Sequence, residues 1–264
     1  MKASVIMGIY NCEKTLEQAL DSLLNQTWQD FSIILCDDGS TDSTYDIASD
    51  YRNAHTGKIR LIRNMENKGL AWSLNRCLKR AKGEYIIRMD ADDVARSDRL
   101  EKQIQFLEDH PEFAMVGSNA ALYNEKGVWG VRSTVAFPKK KDFLLSSPFI
   151  HPTLIIRKKV LEEAGGYRTC KETMRAEDYD LFMRIYAMEY EGANLQELLI
   201  FYREDTGNFT RRAYKYRLDE AKVRYRGFKS LALLPFGYLF VAKPLIVGLF
   251  PQRFLQRFRF EKVI

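Results

Sequence analysis

Short β-rich runs alternate with amphipathic helical stretches through residues 2–117, and no other feature of the sequence constrains the fold as strongly. The run from Lys2 to Ile9 predicts a strand, and Leu16, Leu20 and Leu23 then recur at helical spacing. Four more runs of the first kind begin later in the chain, at Phe31, Ile59, Glu84 and Phe113. This alternation predicts an α/β fold in which helices flank a mostly parallel, Rossmann-like sheet.

Residues 118–205 show a more mixed pattern, with strands predicted over 128–137, 153–156 and 195–203 and a helix over 177–188. No linker rich in Gly, Ser or Pro separates this part from residues 1–117, so we expect one domain over residues 1–205. Hydrophobic residues make up 46% of the 264-residue chain and aromatic residues 12%. Such a composition allows a sizeable core and excludes a disordered chain.

Acidic residues follow two of the predicted strands at the point where each strand ends. Asp37 and Asp38 follow the second strand, and Asp90, Asp92 and Asp93 follow the fourth. Ligands of open α/β sheets bind at the carboxyl ends of the strands, and five carboxylates gathered there would repel one another. A divalent, oxygen-preferring cation such as Mg²⁺ or Mn²⁺, shared with a diphosphate, would offset this repulsion. The alternatives are a capped turn over 37–41 and a solvated loop over 90–93.

Several short motifs together give a specific resemblance, and they occur in the order known for one enzyme family. The chain resembles family 2 glycosyltransferases of the GT-A fold over roughly residues 1–205. The motifs are SVIMGIYN at 4–11, LNQTW at 24–28, DDGS at 37–40, NKG at 67–69, MDADD at 89–93, GGY at 165–167 and ED at 177–178. The resemblance implies a nucleotide-sugar half over about 1–117 and an acceptor half over about 118–205.

The resemblance also assigns residues to the nucleotide. It implies that Gly8, Tyr10 and Asn11 line the nucleoside pocket, that Asp38 binds uracil and that Lys68 holds the base or the phosphates. Similar enzymes frequently carry a hydroxyl residue at the position of Gly8, so the chain departs from the family there.

For the D-x-D motif, the resemblance implies that Asp92 is the metal ligand. Asp90 would bind the ribose or support the metal, and Asp93 would lie close to the donor sugar. The cofactor implied is Mn²⁺ or Mg²⁺.

Glu177 and Asp178 open the helix predicted over 177–188, and the resemblance makes Asp178 the catalytic base. Asp178, Leu181, Phe182 and Ile185 follow helical spacing, which places Asp178 at the end of a buried stripe facing the sheet. The alternative is that both acids only complement the helix dipole, which would also help to keep Asp178 ionised.

Two residues of the second half, His151 and Trp129, are further candidate site residues. His151 is either a packed or surface residue or, as in similar enzymes, a residue that faces the diphosphate or the metal. Trp129 is kept open as a platform for the acceptor. Trp28 and Trp72 are interpreted as core or interface residues.

Residues 206–264 are predicted to form a basic and apolar helical tail. From Arg211 onward the chain carries 13 Lys and Arg against 3 acids, and residues 231–251 are almost wholly apolar apart from Lys243. Lys243 and two prolines disfavour a membrane-spanning helix. We therefore expect peripheral contact with an anionic membrane surface, with four basic residues meeting the headgroups: Arg253, Arg257, Arg259 and Lys262. The alternative is packing on the chain's own domain or in a homodimer.

The sequence thus predicts an inverting, metal-dependent glycosyltransferase. It would move a sugar from a nucleotide diphosphate sugar, a UDP sugar by preference, to a saccharide acceptor that is lipid-linked, in surface polysaccharide synthesis. We expect a cytoplasmic protein at the inner face of the membrane, because the four cysteines form no C-x-x-C pair and no signal segment precedes the first strand. We expect no nucleic-acid partner, because the basic cluster of the tail adjoins an apolar run rather than a base-reading motif. The rivals are a catalytically silent nucleotide-binding scaffold and a nucleotidyltransferase, although the latter would need a Gly-rich phosphate loop after the first strand.

Overall fold

The structure is a computed structural model that describes residues 1–205 and 214–249. Within these ranges the chain forms nine strands: β1 (Ala3–Ile9), β2 (Phe31–Asp37), β3 (Ile59–Arg63), β4 (Tyr85–Arg88), β5 (Val94–Ala95), β6 (Phe113–Asn124), β7 (Gly127–Arg132), β8 (Ile155–Arg157) and β9 (Glu191–Arg203). The helices are α1 (Leu16–Leu24), α2 (Thr44–Ala54), α3 (Leu70–Leu78), α4 (Arg99–Asp109), α5 (Lys158–Glu163), α6 (Glu177–Ala187), α7 (Tyr214–Ser230) and α8 (Tyr238–Leu249).

The strands form one sheet in the order β3-β2-β1-β4-β8-β6-β9-β5, with β7 paired to β6. Strands β1 to β4 pair in parallel, as the alternation of strands and helices predicted. Strand β8 lies between β4 and β6 and is antiparallel to both, while β6 and β9 are parallel. The α/β fold flanked by helices is therefore confirmed, but the second half of the sheet is mixed.

Each face of the sheet carries its own apolar core, because successive side chains of a strand point to opposite faces. On β1, Val5 and Met7 pack with the buried leucines of α1, and Ile6 packs on the other face against Leu74 of α3. Burial on both faces is typical of parallel strands. It leaves the carboxyl ends of the strands as the edge at which polar side chains gather.

Three predicted boundaries in the second half were wrong. Strand β7 ends at Arg132 rather than near residue 137, and β9 begins at Glu191 rather than at residue 195. Strand β8 begins at Ile155, because residues 151–153 form a 3₁₀ turn ahead of it.

In the residues that the structure describes, the tail packs on residues 1–205. A Cβ atom at Gly227 of α7 would lie 2.1 Å from the Sδ of Met183 in α6, so the absence of a side chain lets the two helices approach closely. The buried Arg224 donates to the carbonyl of Leu144, and Lys243 of α8 donates to that of Leu145 at 2.8 Å. This contact matches the alternative of packing on the chain's own domain.

No helix within residues 1–205 and 214–249 has both the length and the apolar character required to cross a bilayer. The four basic residues predicted to meet lipid headgroups, at positions 253, 257, 259 and 262, lie outside the described residues.

Candidate active site

Three carboxylates meet in the loop that follows β4. Ligand oxygens of Asp90, Asp92 and Asp93 all lie within 4.8 Å of one another. All four residues of strand β4 are buried, so the strand holds the start of this loop in a fixed position. Asp93 is buried and accepts a hydrogen bond from the backbone N–H of Arg203 at 2.9 Å, which ties the loop to the end of β9.

The acids of this loop disfavour one another's ionisation. Desolvation in the loop and repulsion from Asp90 raise the pKa of Asp92 to about 6, although its side chain reaches solvent. Burial, and then repulsion from both neighbours, raises the pKa of Asp93 well above its usual value. Oδ2 of Asp93 is buried and has no hydrogen-bond partner among the described residues. A divalent cation with oxygen ligands fits this donor set, because it would satisfy that oxygen and relieve the repulsion.

Only three of the five expected acids come together, which corrects the prediction of a single rim of five carboxylates. Asp37 is fully buried, with its Oδ2 3.1 Å from Nε of Arg63. Asp38 is turned toward the loop ahead of α3, where its oxygens accept hydrogen bonds from the backbone N–H groups of Lys68 (2.9 Å) and Gly69 (2.8 Å). Local partners therefore compensate these two charges.

A cation that the sequence analysis did not single out stands beside the acidic loop. Arg88, the last residue of β4, is buried and forms an ion pair with Asp90. Its charge also lowers the pKa values of Asp92, Asp93 and Asp178 against the effect of their burial. A charged residue inside the otherwise apolar run YIIRM was the signal in the sequence that could have identified it.

A cavity of about 720 Å³ brings the acceptor half to this loop. Asp90 lines it, and so do four residues predicted from the second half of the chain: Trp129, His151, Glu177 and Asp178. Asp178 lies in the first turn of α6, and its Oδ1 accepts a hydrogen bond from the backbone N–H of Tyr179 at 2.8 Å.

At Asp178 the helix terminus has a smaller effect on the pKa of the side chain than burial has. Burial raises the pKa of Asp178 above its usual value, and the hydrogen bond from Tyr179 and the charge of Arg88 oppose this only in part. Burial likewise raises the pKa of Glu177. The backbone N–H groups of the helix terminus thus favour the ionised form of Asp178, but their effect on its pKa is smaller than that of burial. A carboxylate with a raised pKa is the better proton acceptor.

His151 lies in the 3₁₀ turn ahead of β8 and faces the same cavity. Its Nε2 lies 2.8 Å from the hydroxyl oxygen of Tyr167. Burial and the nearby positive charge of Arg88 hold the pKa of His151 well below its usual value. The imidazole is therefore neutral at physiological pH, and Tyr167, a member of the GGY motif, orients it.

A second cavity, of about 460 Å³, adjoins the first at Asp90. Gly8, Tyr10 and Asn11 line it together with Asp90 and Asp92. A Cβ atom at Gly8 would lie 2.9 Å from Cδ1 of Leu70, so α3 packs closely against β1 at this position. The structure thus brings the predicted nucleoside residues to the acidic loop.

Asp38 and Lys68, by contrast, line neither of these two cavities. Asp38 is only 4% exposed and shapes the backbone at residues 68–69, as described above. The Lys68 ammonium pairs with Glu66 and borders a smaller cavity of about 190 Å³ beside α3. Their predicted contacts with the nucleotide remain predictions.

The three tryptophans occupy different environments. Trp129 borders the 720 Å³ cavity, and its indole N–H donates to the carbonyl of Glu204 at 3.0 Å. Trp28 stacks on Phe31 with 6.2 Å between ring centroids. Trp72 is 45% exposed, so of its two interpretations as a core or an interface residue, the first does not hold.

The fold agrees with that of known GT-A glycosyltransferases. The family profile described as Glycosyl transferase family 2 matches residues 4–170. The chain belongs to this family, and it is a glycosyltransferase with a GT-A fold.

Individual proteins extend the comparison to nearly the whole chain. EpsE of Bacillus subtilis (strain 168) is 41% identical over 263 residues, which cover 100% of this chain and 95% of EpsE. The Escherichia coli protein WfaP, named as a UDP-Glc:alpha-D-GlcNAc-diphosphoundecaprenol beta-1,3-glucosyltransferase, is 28% identical over 220 residues, covering 83% and 84% of the two chains. Residues 1–349 of TarS of S. aureus, crystallised with UDP-GlcNAc, share the fold with a TM-score of 0.71 and 21% identity, covering 92% of this chain and 72% of that one.

Proposed function

We propose that this glycosyltransferase is inverting and metal-dependent. It would move a sugar from a UDP sugar to a lipid-linked saccharide acceptor in the synthesis of a surface polysaccharide. One observation carries the proposal. Asp90 lies in the walls of both the 720 Å³ cavity and the 460 Å³ cavity, so the acidic loop borders the cavity that Asp178 lines as well as the one that Tyr10 and Asn11 line. A donor held at the loop would therefore present its sugar to an acceptor beside Asp178.

In this proposal the carboxylates of Asp90 and Asp92 would hold the cation, and the unpartnered Oδ2 of Asp93 would be a further ligand. When bound, the cation supplies positive charge that stabilises a departing diphosphate. Tyr10 and Asn11 line the 460 Å³ cavity, which receives the nucleoside.

Asp178 acts as the general base. Its carboxylate accepts the proton of the acceptor hydroxyl as that oxygen bonds to the anomeric carbon from the face opposite the diphosphate. A single displacement of this kind inverts the anomeric configuration. The neutral His151, held by Tyr167, contributes a hydrogen-bonding ring nitrogen to the same cavity without adding a charge.

Similar proteins support the choice of donor and acceptor. The name of WfaP specifies a UDP-glucose donor and a diphosphoundecaprenol-linked acceptor, and TarS was crystallised with UDP-GlcNAc. Together with the family membership of this chain, these names favour a UDP sugar and a lipid-linked saccharide.

We also propose that the tail contacts the membrane in which such an acceptor is anchored. Large apolar side chains remain exposed at and near α8: Phe236 (66%), Leu239 (73%) and Ile246 (52%). The sequence from residue 211 onward has a net charge of about +10. An exposed apolar surface beside excess positive charge suits an anionic lipid surface.

Turnover with defined substrates tests the proposal. UDP sugars and GDP-mannose would each be incubated with Mn²⁺, with and without a diphosphoundecaprenol-linked saccharide, and the released nucleotide would be measured. We expect UDP release that requires the acceptor and is abolished by EDTA or by Asp92→Ala. Release of pyrophosphate would indicate a nucleotidyltransferase, and UDP binding without turnover on any acceptor would indicate a scaffold.

A further inference from the structure

A further cavity, of about 690 Å³, lies between α3 and residues 165–170, away from the acidic loop. The 190 Å³ cavity joins it to the active site. This smaller space shares Arg175 and Glu177 with the 720 Å³ cavity, and it shares Trp72 and Arg168 with the 690 Å³ cavity. The three spaces thus follow one another with shared wall residues from Glu177 along α3 to Lys79, and together they are called the α3 groove. From residue 70 to residue 79 a helix extends ~13 Å, which is room for more than one sugar ring.

The far wall of the α3 groove is held in place by partly buried hydrogen bonds. The Asn75 side chain exchanges two hydrogen bonds with the backbone of Tyr167, one of 2.7 Å from its Nδ2 and one of 2.9 Å to its Oδ1. Arg184 of α6 donates to the carbonyl of Gly166 at 2.8 Å. Gly166 has a φ of +67°, which residues with a side chain rarely adopt, and a Cβ there would lie 2.7 Å from Asn75 Oδ1, so this turn favours glycine. The groove is therefore preformed.

Trp72 stands where the two smaller cavities of the groove meet. Almost half of this large side chain is in contact with solvent, whereas Trp28 and Trp129 are packed or hydrogen-bonded within the domain. An exposed indole in a concave site provides a flat apolar surface suited to the face of a sugar ring.

The groove carries more positive than negative charge. Lys79 is exposed, and the hydrogen bonds of Arg76 go to uncharged oxygens, the carbonyl of Arg63 and the amide oxygen of Asn64. Glu162, the acid at this end of the groove, lies 3.4 Å from the ammonium of Lys158, which offsets its charge. This balance favours a ligand with carboxylate or phosphate groups.

We propose that the α3 groove binds an acidic oligosaccharide, namely the part of the acceptor that extends beyond the sugar that reacts beside Asp178. The inference rests on the proposed function, since it takes the acceptor to be a saccharide. Trp72 stacks on one ring, and Arg76 and Lys79 meet its acidic groups. The groove thereby selects acceptors by charge and length at a distance from the reacting hydroxyl.

The test uses the full chain with ¹⁵N-labelled indoles, because each tryptophan then reports on a different place. Trp72→Phe assigns the resonance of the groove, Trp129 reports on the 720 Å³ cavity, and Trp28 on the opposite face serves as the internal reference. The probes are a hyaluronan tetrasaccharide as the acidic ligand, chitotetraose as its neutral counterpart of equal length, and inorganic phosphate. We expect the acidic tetrasaccharide to shift the Trp72 resonance in a saturable way and to leave the Trp28 resonance unchanged. The dissociation constant from this titration should be lower than that of chitotetraose.

Lys79→Glu should weaken this binding by about fivefold, because the reversed charge replaces an attraction with a repulsion. Lys126→Glu, a charge reversal at an exposed turn outside the groove, should leave it unchanged. The proposal is overturned if Trp72 does not respond to the acidic tetrasaccharide, if chitotetraose or phosphate alone gives the same response, or if the two variants behave alike. No donor is present, so a failure here is distinct from a failure of UDP release.

Discussion

At the scale of single residues, Arg88 is a buried cation placed among carboxyl groups. It pairs with Asp90, and its field favours the ionised forms of Asp92, Asp93, Glu177 and Asp178. Removing one partner of a buried ion pair leaves the other charge uncompensated. The acidic site therefore depends on this one guanidinium for part of its stability.

We predict that Arg88→Met lowers the free energy of unfolding by ~3–5 kcal/mol, measured by urea denaturation at neutral pH. Arg88→Lys keeps the charge and should lose less. Arg96→Met is the matched control, because Arg96 pairs with Asp98 and Glu197 at the surface, where ion pairs contribute ~0–1 kcal/mol. Equal losses in Arg88→Met and Arg96→Met would show that Arg88 does not balance the buried charge.

The pH dependence of catalysis is also decided by single residues, in this case by Asp178 and the charges around it. Burial raises the pKa of Asp178, Asp90 adds to this rise, and Arg88 and the Tyr179 N–H oppose it. Asp178 must be ionised to accept a proton, so kcat/KM should fall as the pH decreases through a pKa above the ~3.9 of an ordinary aspartate. In Arg88→Lys, which keeps the positive charge, the acid limb should stay in place. An acid limb below pH 4 in the wild-type profile would contradict the burial of Asp178 as its cause.

At the scale of elements, two of them bring the site together: the loop after β4 and the first turn of α6. Strand β4 is held on both sides by β1 and β8, so the direction of the acidic loop is fixed by the sheet. Helix α6 is anchored by buried Leu181, Phe182 and Ile185, the stripe predicted from the sequence. Asp178 therefore reaches the cavity from a rigid element rather than from a loop.

The tail is the second element with a testable role. Leu239→Glu replaces an apolar side chain that is 73% exposed on α8. If the tail inserts this side chain into lipid, co-sedimentation with phosphatidylglycerol vesicles should weaken by ~10- to 100-fold, since burying a leucine contributes ~1.5–3 kcal/mol.

Met65→Glu is the control for the tail, because Met65 is 97% exposed in the loop after β3. It introduces the same charge and should leave vesicle binding unchanged, and neither variant should lower the melting temperature. Equal binding by both variants would place the membrane contact elsewhere.

At the scale of the whole molecule, local patterns predicted the parallel half of the sheet, and the family motifs predicted which acids lie at its edge. The sequence alone could not show that Asp37 and Asp38 leave this group, because their partners Arg63 and the backbone of Lys68 arrive from another strand and loop. The mixed half of the sheet depends on β8 entering between β4 and β6, which is a long-range event. Trp72 and Arg88 were missed for the same reason, since exposure and burial are decided by tertiary contacts.

The central claim is that donor binding at the acidic loop and proton transfer at Asp178 depend on different residues, which line two cavities that share Asp90. Asp178→Asn keeps the size of the side chain but removes the proton acceptor, and Glu177→Gln is the neighbouring control in the same turn. The direct measurement is UDP binding by calorimetry with Mn²⁺, paired with kcat for sugar transfer at saturating substrates. We predict that Asp178→Asn binds UDP like the wild type while kcat falls by ~10²- to 10⁴-fold, and that Glu177→Gln loses far less. Sugar transfer by Asp178→Asn within a few-fold of the wild type would contradict the account.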